Sequence, residues 1–173
     1  ESSFSPIRAA WYAQLTEILK NALGESEKGC LTRIHACNSG TEAIETAIKV
    51  ARYFTKRTEI VACKKAFHGR TMGSLSATWN PQYRKPLEPL VTGYSHVYYN
   101  DLSASEQITD KTAAFLVETV QGEGGIHPAT TDFLMTMQET CRKKGALLIV
   151  DEVQTGLGRT GEWFGSCHHL QAD

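Results

Sequence analysis

The chain has 173 residues, enough for one globular domain with its own core and too few for two comfortable ones. Eighteen Lys and Arg against 19 Asp and Glu leave a net charge of −1, which argues against a nucleic-acid or anionic-membrane partner. No apolar run approaches the roughly 20 residues of a membrane-spanning helix, and an apolar content of 41% excludes a disordered chain.

The opening Glu1-Ser2-Ser3-Phe4-Ser5-Pro6 has no initiating Met, basic region or apolar run, so it does not read as a signal peptide. It reads instead as the interior of a longer chain. Cys30, Cys37, Cys63, Cys141 and Cys167 form no CxxC pair and no Cys/His set at zinc spacing. No metal is expected, and the thiols are expected to be reduced and buried.

Ser5-Pro6 is a helix start, and Ile7, Trp11, Leu15, Ile18, Leu19 and Leu23 recur at helical spacing until Gly24. Arg33 to Cys37 reads as a short strand. Ser39 and Glu42 then have capping-box spacing, and Ala43, Ile44, Ala47, Ile48 and Ala51 form a helical stripe to about Tyr53. Glu59 to Cys63 is a second strand. Between residues 67 and 95, Pro81, Pro86 and Pro89 block long regular elements.

His96 to Tyr99 is a third predicted strand and Ala113 to Glu118 a stronger fourth, followed by a glycine-rich turn, Gln121-Gly122-Glu123-Gly124-Gly125. A helix is predicted from about Thr131 to Lys144, with Phe133, Leu134, Met137 and Cys141 on one side and Gly145 as its stop. Ala146 to Val150 is a continuous apolar strand ending in Asp151-Glu152. Apolar strands alternating with helices predict an α/β fold, a mostly parallel sheet flanked by helices.

Ligands in such sheets bind beyond the carboxyl ends of the strands, where the residues of interest fall. Ser39-Gly40-Thr41 is either an ordinary N-cap or a phosphate site at a helix N-terminus. Asp151, at the end of the most apolar strand, needs a cation or donors to offset its desolvation. It is a cap for the next helix or an internal salt bridge, or an anion that holds a buried positive group of a ligand, with Gln154 adding an amide. Phe67-His68-Gly69-Arg70 is a ring with a guanidinium fork that can clamp a flat anionic ligand, or a core Phe, a solvated His and a surface Arg. Glu118 and Glu123 flank the glycine-rich turn as structural partners of backbone amides or as charges that recognise a cationic substrate group.

Four blocks follow in order. They are Asn38-Ser39-Gly40-Thr41-Glu42-Ala43, then Phe67-His68-Gly69-Arg70-Thr71, then Glu118 with Gln121 to Gly125, and finally Asp151-Glu152-Val153-Gln154-Thr155-Gly156-Leu157-Gly158-Arg159-Thr160-Gly161. Together the chain resembles the pyridoxal-phosphate-dependent class III aminotransferases of the ornithine/acetylornithine type. The resemblance implies the large domain of a fold-type I enzyme, with residues 1–29 a helix and loop and 30–173 part of the cofactor-binding domain. It implies pyridoxal 5′-phosphate as cofactor and amino transfer from N-acetylornithine or a related ω-amino donor to 2-oxoglutarate.

It also implies roles. Gly40 and Thr41 hold the phosphate with Ser39 beside them, Phe67 stacks on the ring and His68 belongs to the same cofactor site. Asp151 pairs with the ring nitrogen and so keeps the ring an electron sink. Gln154 reaches the ring hydroxyl, Arg70 binds the substrate carboxylate, Glu118 lines the site, and Glu123 pairs with a distant arginine during substrate exchange.

The Schiff-base lysine is expected shortly after Asp173, followed by a C-terminal small domain. A full-length homodimer is expected, in the mitochondrial matrix for a fungal source and the cytoplasm otherwise. The alternative is a truncated, inactive homologue that binds the cofactor weakly or serves only as an interaction partner. Two departures from the family pattern are Ile44, where Asn is usual, and Thr119, where Pro is usual.

Overall fold

The computed structural model describes residues 5–23 and 33–170. The predicted first helix forms as α1 (Pro6–Leu23). The division expected near residue 29, and Cys30, lie outside the described residues. Arg33 to Cys37, expected as a strand, is irregular. No strand among the described residues pairs with it, and without a ladder its backbone has no reason to become regular.

Helix α2 (Gly40–Thr55) begins where the capping box predicts. Ser39 Oγ accepts from the Glu42 N–H at 3.4 Å, and the Glu42 carboxylate reaches back to the Asn38 N–H at 2.7 Å. The next elements are β1 (Glu59–Cys63), two short helices, α3 (Met72–Ala77) and α4 (Pro81–Arg84), then β2 (Tyr94–Val97) and β3 (Thr112–Glu118). Strand β2 lies two residues earlier than its apolar pattern indicates, because Asn100 turns the chain with φ 61°. A small hairpin, β4 (Val120–Gln121) with β5 (His127–Pro128), closes the glycine-rich turn. Helix α5 (Thr131–Lys144) has the predicted limits, with Thr130 as N-cap and Gly145 in the left-handed region at φ 65°. Strand β6 (Leu147–Asp151) follows.

The four main strands form a parallel sheet in the order β2-β1-β3-β6. All seven residues of β3 are buried, which is why its sequence is apolar on both phases of the alternation. Phe115 and Val117 point into a core with Phe133, Leu134 and Met137 of α5. Ala114 and Leu116 point the opposite way, against Ile44, Ile48 and Ala51 of α2. Ile44 lies inside this apolar layer, at 4% exposure. Each large aliphatic side chain buried this way contributes about 1.5–3 kcal/mol. The most apolar strand, β6, is half-buried, because among the described residues only β3 pairs with it.

Candidate active site

Parallel pairing aims the carboxyl ends of β1, β3 and β6 the same way. The segments that leave those ends therefore meet, and the N-terminus of α2 joins them. Gly40, Thr41, Phe67, His68 and Arg70 border one cavity of about 430 Å³. Glu118, Asp151 and Gln154 complete its predicted lining. Two predicted residues stay outside the lining. Ser39 is spent on capping α2, and Glu123 is exposed on the glycine-rich turn.

Asp151 is 8% exposed and has two partners. Its Oδ2 lies 2.8 Å from His68 Nδ1, and its Oδ1 accepts from the Val153 N–H at 3.1 Å. Of the two structural readings, the internal pair is present, whereas Asp151 caps a turn and not a helix, because residues 153–164 form turns and bends. The alternative of a solvated His68 is corrected: the ring is buried, since pairing with Asp151 compensates its desolvation, and its backbone N–H donates to Thr78 Oγ1 at 2.9 Å. His68 Nε2 is enclosed and has no hydrogen-bond partner.

Glu118 stands opposite Asp151 in the β3–β6 register, at 6% exposure. Its Oε2 accepts from the Phe67 N–H at 3.2 Å. Burial above all pushes this carboxyl up to about 8; the Phe67 N–H opposes the rise, while the charges of Asp151 and Glu123 add to it. The Phe67 ring is half-buried and set edge-on to Tyr83, with ring centres 5.7 Å apart. Arg70 is exposed at the cavity and has no carboxylate partner among the described residues.

Several residues that build the site carried no sequence signal of their own. Glu45, on α2, accepts from the Thr71 hydroxyl at 2.6 Å and from the Gly73 and Ser74 N–H groups at 2.7 and 3.0 Å. Burial would raise this carboxyl, but those three bonds and Lys49 outweigh it and hold it below the ordinary value. Thr41 Oγ1 lies 2.8 Å from the Thr71 hydroxyl and 2.6 Å from that of Ser74. Gly69 has φ +126°, and a Cβ there would come within 2.3 Å of Thr41 Oγ1. Only glycine makes this turn beside α2. Thr71 could have been found as the last residue of the Phe67–Thr71 block, whereas the Glu45 contact spans 26 to 29 residues and leaves no local pattern.

These donors fit pyridoxal phosphate. At the start of α2 the Gly40 and Thr41 N–H groups have no acceptor among the described residues, the condition for anion binding at a helix N-terminus. Asp151 uses two of its roughly four acceptor positions within the protein and keeps others for a protonated ring nitrogen. No lysine borders this cavity among the described residues.

The aminotransferase class-III family model matches residues 2–173. The acetylornithine aminotransferase of Methanopyrus kandleri is 52% identical over 147 residues, covering 84% of this chain and 38% of that protein. A putative [LysW]-aminoadipate semialdehyde/glutamate semialdehyde transaminase of Pyrococcus furiosus is 53% identical over 137 residues, 79% of this chain and 37% of that protein. Among solved structures, the Toxoplasma gondii ornithine aminotransferase, which has partial occupancy of PLP at its active site, superposes with a TM-score of 0.79 at 30% identity over 93% of this chain and 39% of its own. A Bacillus anthracis aminotransferase gives 0.83 at 33% identity, over 97% and 41%. The chain thus spans less than half the length of the relatives it matches. With a parallel sheet whose strand ends assemble the family's blocks around one cavity, the chain belongs to the class III aminotransferases, enzymes that work with pyridoxal 5′-phosphate.

Proposed function

We propose that the protein transfers an amino group from N-acetylornithine or a related ω-amino donor to 2-oxoglutarate, in arginine and ornithine metabolism, and that it works as a homodimer. The observation that carries the reading is the His68–Asp151 pair at 2.8 Å, set at the edge of a cavity that the N-terminus of α2 also borders. A carboxylate so placed favours a cationic ring nitrogen, and free helix N–H groups favour a phosphate. The acetylornithine aminotransferase relative supports the choice of donor.

In this reading the Gly40 and Thr41 amides bind the phosphate, while Ser39 fixes the helix end that presents them. Phe67 covers a ring face, and Gln154 donates to the ring hydroxyl. Asp151, oriented by His68, holds the proton on the ring nitrogen. When bound, pyridoxal phosphate supplies an electron sink for the carbon that carries the transferred amine. Arg70 takes a substrate carboxylate through its two-pronged guanidinium. Glu118 borders the substrate space, and Glu123 stands ready on the turn to pair with a cationic group.

Purified full-length protein should form glutamate from 2-oxoglutarate with a panel of N-acetylornithine, ornithine, N-succinylornithine and 4-aminobutyrate. N-acetylornithine is expected to show the highest kcat/KM. Absence of glutamate with every donor would sink the proposal. A second reading, in which an aminoadipate or glutamate semialdehyde is the amino acceptor or product, draws on the Pyrococcus furiosus relative, whose identity of 53% is no lower. Supplying that semialdehyde as acceptor with glutamate as amino donor, and reading 2-oxoglutarate formation, separates the two.

A further inference from the structure

Asp151 and Glu118 are register partners on adjacent strands, and both carboxyls are buried. Their surroundings differ. Asp151 has the His68 ring at 2.8 Å, whereas Glu118 has the Phe67 N–H at 3.2 Å and no ion pair among the described residues. The titratable groups that face Glu118 are Asp151 from β6, Glu123 from the glycine-rich turn, Cys63 from β1 and Tyr99 from the segment after β2. Each of these is either negative or becomes negative on ionising, and none supplies a positive charge.

We propose that Glu118 stands in this site as a neutral carboxylic acid, a positioning residue that holds the Phe67 backbone and leaves Asp151 as the only buried anion lining the cavity among the described residues. The inference rests on the cofactor assignment above. A cavity that must hold a phosphate already carries negative charge, and a second carboxylate beside Asp151 would repel it. A neutral acid avoids that repulsion without losing its contacts. Oε2 still accepts from Phe67, which keeps the stacking ring in place, and the hydroxyl remains for an acceptor in the cavity. Burial, which pushes this carboxyl up to about 8, acts in the same direction.

The probe is pyridoxine 5′-phosphate, which lacks the aldehyde and so binds without any lysine. Its dissociation constant, read by fluorescence titration, is compared for the full-length wild type and Glu118→Gln between about pH 6.5 and 9.5. The titrations of the ligand itself are common to both proteins and cancel. Wild-type binding should weaken by roughly tenfold more than that of the variant as Glu118 ionises. Matching profiles overturn the proposal. If neither protein binds the probe, the cofactor site is wrong, and infrared spectroscopy of the ligand-free protein still decides Glu118. A protonated-carboxyl band that fades with a midpoint near 8, and that Glu118→Gln lacks, supports the inference. Should the variant fail to fold, the wild-type titration suffices. A wild-type spectrum without that band at neutral pH overturns it.

Discussion

Asp151 and Glu118 have similar side chains and adjacent positions, yet their surroundings differ. What separates them is a single ring: His68 faces one and not the other. Asp151→Asn tests the importance of that charge. The amide keeps an oxygen for the Val153 N–H, so the fold should survive, but it cannot hold a proton on a ring nitrogen. Turnover should fall by about 10²-fold or more, well beyond what any lowering of the denaturation midpoint from the weakened His68 pair explains. Near-normal turnover would remove Asp151 from the proposed role. Thr119 is a different kind of residue. Its carbonyl accepts from Tyr99 and Ala129, a job the family's proline would also perform, while its buried hydroxyl finds no partner.

Among the elements, the tie between α2 and α3 is the one on which the site depends. Glu45 receives one hydroxyl and two N–H groups from Thr71, Gly73 and Ser74, at the start of a six-residue helix buried almost throughout. A helix that short has little stability of its own. Glu45→Ala should cost about 2–3 kcal/mol in denaturant unfolding, because it strands the N–H groups of α3. It should also weaken pyridoxal phosphate binding, since the Gly69–Thr71 turn packs on Thr41. A variant with wild-type stability would show that α3 is held by its other contacts.

Element by element, the sequence was most legible where burial is simplest. Strand β3 and helix α5 have clear periods and clear stops, and α5 has its predicted limits. The residues from 67 to 95 were read as irregular, yet α3 and α4 form there, too short to leave a helical period. Arg33 to Cys37 alternates polar and apolar residues as a strand does but is irregular, because an alternation states a preference and not a partner.

At the scale of the molecule, the buried Glu118 and the partly buried Glu45 set opposite pH limbs on stability. Glu118 is raised from its ordinary 4.5 to about 8, so its contribution is complete below about pH 4.5 and is lost as pH climbs through 8. Glu45 is lowered from 4.5, so its contribution is present above that value and is lost as pH falls through its lower folded value. Urea midpoints measured across this range should therefore fall at both ends. Glu118→Gln should flatten the alkaline limb alone, and Glu45→Gln the acid limb alone. A change in the wrong limb would contradict the assignments.

The sequence by itself determined the fold class, the order of the main elements, the four motif blocks and, through them, the family and its cofactor. Those properties are written in local periods, caps and short spacings. Tertiary structure alone decided which side chains meet. His68 and Asp151 are 83 residues apart, and Phe67 and Glu118 are 51 apart. Only parallel strands ending at one edge of the sheet bring such pairs into hydrogen-bond range. Burial at that edge, a property of the packed molecule, then gives Glu118 its high affinity for a proton.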